Sequence, residues 1–228
     1  MTIQPIAHFR SPFPSKFGIP KQSGIITDLP GQVIFTPEHR NADALRGIEG
    51  FYYLWLIWEF SANPHRASSP VVRPPRLGGN RSVGVFASRS PFRPNPIGLS
   101  SVRLQSVEWD SPHGPVLHVM GADLMDGTPI FDIKPYVEYA DSHQQVRSGF
   151  VDTNEWHRLT VVFPSPWQEM FSESERAQLT EVLSLDPRPQ YQHDPQKVYG
   201  MPFAGRDVKF QVCDDVLTVM GVTTLSRC

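Results

Sequence analysis

The side chains best suited to chemistry fall in two short stretches. Residues 72–100 read VRPPRLGGNRSVGVFASRSPFRPNPIGLS and set Arg73, Arg76, Arg81, Arg89 and Arg93 among Pro and Gly. The acid-free window is wider: residues 60–107 hold seven arginines and no Asp, Glu or Lys. With a formal charge of −2 for the whole chain, everything outside that window carries −9. Arg offers a planar fork that matches phosphate and carboxylate, where Lys offers a point charge. Solvated arginines on a loop-rich surface are the plain alternative, but closely spaced Gly and Pro fix unusual backbone at the same place. The stretch reads as an anion-handling site on rigid loops. The second stretch, DLMDGTPIFDIKPY at 123–136, opens with the turn sequence Asp126, Gly127, Thr128, Pro129. If a strand follows, its period of two puts Asp132, Lys134 and Tyr136 on one face and Phe131 and Ile133 on the other. That face is either a solvated strand surface or, beside an acidic turn, part of a site for a cationic or hydroxyl-rich ligand.

The elements that must position these residues are short. The 228 residues are enough for a real core, and the 23 prolines are about twice the usual share. Proline at that density disfavours long helices and favours strands joined by shaped loops. Residues 51–60 (FYYLWLIWEF) suit a strand covered on both faces or one inside a closed barrel. Further strands are predicted within 2–10, 32–35, 83–87, 97–108 and 116–121, with a helical turn or two over 41–48 closed by Gly47. This pattern predicts a mainly β fold, a barrel or a sandwich. Residues 141–154 are polar and read as a linker. Beyond them, Ser172 and Glu175 form a capping-box pattern for a helix to about Ser184. Asp186–Pro189 stops that helix, and strands over 207–213 and 216–223 flank Asp214 and Asp215. The chain therefore divides into a unit over 1–145 and a small α+β unit over 155–228.

Several function classes are excluded or unsupported. No run approaches the roughly 20 apolar residues of a membrane span, and the N-terminus lacks the layout of a secretory signal. Cys213 and Cys228 give no disulfide framework or metal pair, and the eight histidines are scattered, so a cytoplasmic protein without a metal is expected. No G-x-G-x-x-G or P-loop pattern is present, which argues against a dinucleotide-type crevice.

The two stretches, with KFGIP at 16–20, RPPRLGGN at 73–80 and GVFASRSPFRPNPIG at 84–98, resemble the bacterial TsaA-like family. Its members are tRNA (adenine-37-N6)-methyltransferases using S-adenosylmethionine. The likeness covers about residues 4–141 and touches the second unit mainly at LDPRP, 185–189. It implies a β-barrel methyltransferase domain, unrelated to the Rossmann type, working as a homodimer on tRNA that already carries N6-threonylcarbamoyladenosine, chiefly threonine tRNA. It also implies cofactor contacts from Pro20, Lys21, Gln22, Ser61, Ala62, Arg89, Leu99 and the turn Asp126, Gly127, Thr128, Pro129. The chain departs from the family where Lys21 replaces a frequent Arg, Ser61 and Ala62 replace His-Gln, and Tyr52 and Tyr53 replace Ser-His.

Strand facing, not the family, suggests Asp132 as proton acceptor assisted by Lys134 and Tyr136, with Asn95 on the base edge. Arg93 would pair with the threonyl carboxylate, and Arg73, Arg76 and Arg81 would grip anticodon-loop phosphates. Phe86, Phe92 and Tyr136 are candidates to stack on loop bases, although core packing is the commoner role of each. Two other readings stay open: a non-catalytic RNA- or nucleotide-binding module, and a methyltransferase for another small nucleophile or a protein.

Overall fold

Alternation of inward apolar residues closes six strands on themselves. The computed structural model of the chain describes residues 2–63, 69–78, 81–153, 157–189, 192 and 194–225. Arg66, Gly79, Asn80, Glu155, Trp156 and Cys228, named or covered in the sequence analysis, lie outside the described residues. In chain order the strands are β1 (Ala7–Arg10), β2 (Pro30–Phe35), β3 (Tyr53–Glu59), β4 (Val71–Val72), β5 (Val83–Gly84), β6 (Ile97–Ser111), β7 (Gly114–Met120) and β8 (Pro129–Pro135). Six of them form a closed barrel in the order β1-β2-β7-β6-β3-β8, and β4 and β5 pair as a separate two-stranded sheet. Leu54, Leu56 and Trp58 of β3 point inward with Phe9, Val33, Val102, Leu117, Val119 and Ile130. Each such side chain taken from water contributes about 1.5–3 kcal/mol. Closure also leaves no exposed sheet edge to template association. The aromatic run of residues 51–60 is thus a barrel strand, not a strand covered by two layers.

Two local expectations change. Residues 83–87 are not one strand: β5 stops after Gly84, and Val85–Ala87 turn into a 3-10 helix. Val85 drops into the interior and donates its N–H to Pro70 O at 2.9 Å, which leaves Phe86 81% exposed. In β8 the pairing with β3 slips between Ile57 and Trp58, so Ile57 faces Asp132 while Trp58 faces Ile130. This bulge carries Ile130 and Ile133 both inward, three residues apart, while Asp132 and Lys134 stay outside and pair at 3.2 Å.

After the short helix α1 (Glu138–Asp141) come β9 (Thr160–Val162), α2 (Ser165–Gln168), α3 (Glu173–Ser184), β10 (Val198–Phe203), β11 (Arg206–Cys213) and β12 (Val216–Thr224). The last three strands form an antiparallel sheet to which β9 adds in parallel. Leu179, Val182 and Leu183 of α3 are buried against this sheet. Phe13, Ile26 and Leu29, from the loop between β1 and β2, complete the same core. Among the described residues no helix is long and apolar enough to cross a membrane.

The capping box of α3 is formed in full: Ser172 Oγ accepts from Glu175 N, and the Glu175 carboxylate accepts from Ser172 N at 2.9 Å. The Ser172 N–H, more than any other group, holds the Glu175 carboxyl below its ordinary pKa. A lowered folded-state pKa stabilises at pH above the unfolded value, and the benefit is lost as pH falls through the lowered one. Ser172→Ala should cost about 1 kcal/mol in urea unfolding at neutral pH. The gap to wild type should narrow in acid, where the Glu175 half of the cap is already lost.

Candidate active site

The end of the barrel where β3 finishes and β6 and β8 begin is left open, and loops build a hollow of about 460 Å³ there. One wall is the loop between β1 and β2, with Lys16, Ile19, Pro20, Lys21 and Gln22. The opposite wall is the arginine loop, with Ser88, Arg89, Pro91 and Arg93. Trp55, Trp58, Glu59 and residues 60–63 continue β3 into the hollow, and Ile97, Gly98, Leu99, Asp123, Met125 and Thr128 complete it.

Gly98 is required by close approach. A Cβ there would lie 2.3 Å from the Trp58 ring, so the indole can lie flat against β6 only over a bare backbone. Held that way, Trp58 packs edge-on against Phe60 with centroids 4.3 Å apart. Its Nε1 donates to Ser100 Oγ at 3.0 Å, and Ser100 Oγ donates to Asp123 Oδ1 at 2.5 Å. Burial raises the Asp123 carboxyl above the ordinary range, while the Ser100 hydroxyl, the backbone N–H groups of Asp123 and Ser23, and the charge of Arg89 oppose that rise.

The two walls are tied together by Arg89 Nη1, which donates to Gln22 Oε1 at 2.5 Å. Arg93 Nη1 donates to Ser88 O at 3.0 Å and to Ser90 O at 3.3 Å, so one arm of its fork shapes the loop. Crowding by the surrounding walls lowers the Lys21 ammonium, opposed by Asp186 of the second unit; the side chain itself keeps solvent contact.

Most residues that the family resemblance assigns to the cofactor meet here: Pro20, Lys21, Gln22, Ser61, Ala62, Arg89, Leu99 and Thr128, joined by Arg93. Asp126, Gly127 and Pro129 lie outside the lining. Asp126 turns toward β1, accepting from Arg10 Nη1 at 3.2 Å and from Ser11 N at 3.1 Å, and Gly127 N donates to Phe9 O at 2.8 Å. The turn therefore braces β1 and presents Met125 and Thr128 to the hollow.

Asp132, Lys134 and Tyr136 also lie outside the lining, on the outer face of the barrel next to it. Lys134 stands directly across from Trp55, and the Tyr136 ring packs between Trp55 at 5.7 Å and Tyr53 at 6.1 Å. Trp55 in turn donates to Asp141 Oδ2 at 3.1 Å. Asn95 sits on the exposed loop between Arg93 and Ile97, its carbonyl accepting from Ile97 N. Arg73 and Arg81 lie, exposed, in the connection between β4 and β5, and Arg76 is partly buried in the 3-10 turn within it.

The sequence analysis did not single out Trp55, Trp58, Glu59, Lys16, Asn63, Met125 and Asp123 as site residues. A signal existed for Asp123, since DLMDGTP holds two acids three residues apart. Nothing local says which of them turns inward. As a whole, the hollow joins cations (Lys16, Lys21, Arg89, Arg93), two carboxylates (Glu59, Asp123) and aromatic and aliphatic walls. Such a set suits a ligand with an apolar ring and charges of both signs. Among the described residues no group of three or more His, Cys, Asp or Glu is placed to hold a metal ion.

Comparison with known proteins agrees in both units. The tRNA-methyltransferase O N-terminal domain matches residues 8–142, and the TrmO C-terminal domain matches residues 157–225. The chain is 37% identical over 217 residues to the tRNA (adenine(37)-N6)-methyltransferase of Escherichia coli, covering 92% of each. It is 37% identical over 214 residues to a Pseudomonas aeruginosa protein provisionally described as an S-adenosylmethionine-dependent methyltransferase, RcsF, covering 91% of this chain and 90% of that one. The crystal structure of TrmO from P. aeruginosa superposes with a TM-score of 0.77 at 30% identity, over 98% of this chain and 97% of that one. With both domains matched in order and nearly the whole length aligned, the chain belongs to the tRNA-methyltransferase O family.

Proposed function

We propose that this protein transfers the methyl group of S-adenosylmethionine to N6 of adenosine 37 in tRNA. We further propose that its substrate is the threonylcarbamoylated form of that base, chiefly in threonine tRNA, and that it acts as a cytoplasmic homodimer. Family membership supports the reaction, and the observation that carries the site is the half-buried Asp123 carboxyl, bonded to Ser100 and facing cations across an aromatic-walled hollow. S-adenosylmethionine fits that donor set: its adenine and ribose suit the Trp58, Phe60 and Leu99 walls, and its amino-acid end and sulfonium need charges of both signs. Bound there, it supplies an electrophilic methyl on sulfur.

The protein's own part is alignment and proton management. In-line transfer rewards holding the nucleophile in reach of the methyl, which rigid loops cross-linked by Arg89 and Gln22 favour. The N6 atom of a threonylcarbamoylated adenine shares its lone pair with the purine and with a carbonyl, so it reacts well only as its proton is drawn off. A positioned base contributes about 10²–10⁴-fold in such steps. Asp132 takes that role in this proposal, oriented by Lys134 at 3.2 Å and by the bond it accepts from Ile133 N at 2.9 Å. Tyr136, packed on Trp55 at the margin of the hollow, gives the target base an aromatic neighbour. Asn95 bonds the base edge. The second arm of the Arg93 fork takes the threonyl carboxylate. Arg73, Arg76 and Arg81 meet anticodon-loop phosphates, a contribution that weakens as salt rises.

Asp132→Asn should leave calorimetric binding of S-adenosylmethionine within about twofold of wild type while lowering turnover at least 10²-fold; wild-type turnover would remove Asp132 from the mechanism. Arg93→Lys keeps the charge and loses the fork. It should lower the preference for threonylcarbamoylated over unmodified tRNA by roughly 10–100-fold, read from the mass of anticodon-loop fragments. Because burial raises the Asp123 carboxyl, its ionised form grows in as pH rises through that raised value. Affinity for the cationic cofactor should rise over the same range, and Asp123→Asn should weaken binding and flatten the dependence.

A further inference from the structure

The loop between β1 and β2 belongs to two structures at once. Its middle, Lys16 to Gln22, lines the hollow, but its apolar residues are buried in the core of the second unit. Phe13, Ile26 and Leu29 are 1%, 4% and 1% exposed in the cluster that contains Met201 and Phe203, and Phe17 and Ile19 pack against it. Phe13 meets Phe203 edge-on with centroids 5.4 Å apart. Both ends of the segment are hydrogen-bonded to that unit: Ala204 N donates to Pro12 O at 2.9 Å, and Gln178 Nε2 donates to Asp28 O at 2.9 Å. Between them the backbone runs so close to β10 that a Cβ on Gly18 would fall 2.2 Å from Met201 Sδ.

We propose that the C-terminal unit is the clamp of the cofactor loop, holding residues 12–29 so that Lys16, Pro20, Lys21 and Gln22 face the hollow ready to bind. The proposal rests on the reading of the hollow as the S-adenosylmethionine site. The barrel's own hold on this segment is polar, since the buried side chains of Phe13, Ile26 and Leu29 all lie in the second unit's core and none in the barrel's. From the barrel side come Gly24 N to Gly121 O and Asp126 N to Phe13 O, both at 2.9 Å, Gly121 N to Leu29 O at 2.8 Å, the Ser23 N–H to Asp123, Lys16 Nζ to Asn63 Oδ1 at 3.4 Å, the Arg89 bond to Gln22 and the Arg103–Asp28 pair at 3.9 Å. A segment of this length, cut loose from the second core, loses the burial that offsets the entropy of ordering it. The clamp also brings charge. Arg188 grips both Asp186 oxygens at 2.8 Å in the turn that ends α3, and that carboxylate faces Lys21. Phe203, Met201 and Gln178 are therefore positioning residues, outside the hollow, for cofactor binding.

The test compares Phe203→Leu and Gln178→Met with Val212→Ala in the full chain. Val212 lies in the same core, six residues along β11 from Arg206, the partner of Phe203, or about 20 Å away. Gln178→Met keeps side-chain length and removes the bond to Asp28 O together with the one to Ser174 Oγ inside α3, without opening a cavity, so it reports even if Phe203→Leu folds poorly. Two readouts are taken: trypsin cleavage after Lys16 and Lys21, mapped by mass, and the KM for S-adenosylmethionine against kcat. A smaller fraction of competent loop raises the apparent KM by the same factor, so Phe203→Leu and Gln178→Met should raise it about three- to tenfold with kcat nearly unchanged. Cleavage after Lys16 and Lys21 should quicken by a similar factor. Val212→Ala, even with an equal loss in Tm, should leave both near wild type. Wild-type cleavage and KM in the first two variants, or equal changes in Val212→Ala, would overturn the clamp. If wild type bound no S-adenosylmethionine, the functional reading would fall, while the cleavage rates would still decide whether the second unit holds the loop.

Discussion

A carboxyl group can be drawn half out of water at the mouth of a barrel only if the bonds around it are answered. That constraint at Asp123 organises the open end of the barrel. Desolvating a carboxylate costs several kcal/mol unless hydrogen bonds and countercharge compensate. Here the compensation runs through Ser100 to Trp58 on one side and through Arg89 on the other. Each partner imposes a demand of its own. Trp58 requires a residue without a side chain at Gly98, Ser100 must face the barrel interior, and Arg89 must be carried back over the hollow by a loop stiffened with proline. The bond from Arg89 to Gln22 passes the same constraint to the opposite wall.

The second constraint is the shared loop. Two cores that the chain joins in sequence through the polar stretch read as a linker over 141–154 are interleaved, because Phe13, Ile26 and Leu29 lie outside the barrel's strands and are buried in one core with α3 and β10. Apolar burial is non-directional, so it can hold a segment whose polar residues face elsewhere. That division of labour within one loop lets Lys16 and Lys21 stay in the hollow while their neighbours are fixed from behind. It also gives the helix cap at Ser172 and the Asp186 turn a connection to the site, since both belong to the element that presses on the loop.

What was legible in the residues was local. The apolar run of residues 51–60 that reads as a core strand, the capping box at Ser172 and Glu175, the turn at Asp126–Pro129 and the concentration of arginine in an acid-free window each follow from short-range rules. Each also appears where expected. The strand read into 83–87 failed for a local reason as well. After Gly84 the chain turns into a 3-10 helix, so that Val85 is buried and Phe86 is left outside. The bulge in β8 could not be read, because the slip arises from closing the barrel and the alternation in 130–136 carries no mark of it.

By itself, the sequence determined the strand-rich architecture, the capped helix that ends near Ser184, the loops on which the charge sits and the family to which the motifs point. Tertiary structure alone decided that Asp123, and not Asp126, enters the hollow, and that Asp132 lies on the outer face beside Trp55. It also decided that the loop carrying Lys21 is packed from behind by a sheet some 180 residues further along the chain. The physical reason is range. Periodicity, caps and turns are set by neighbours within a few residues, whereas the direction of a loop side chain is set by whichever distant surface buries its neighbours.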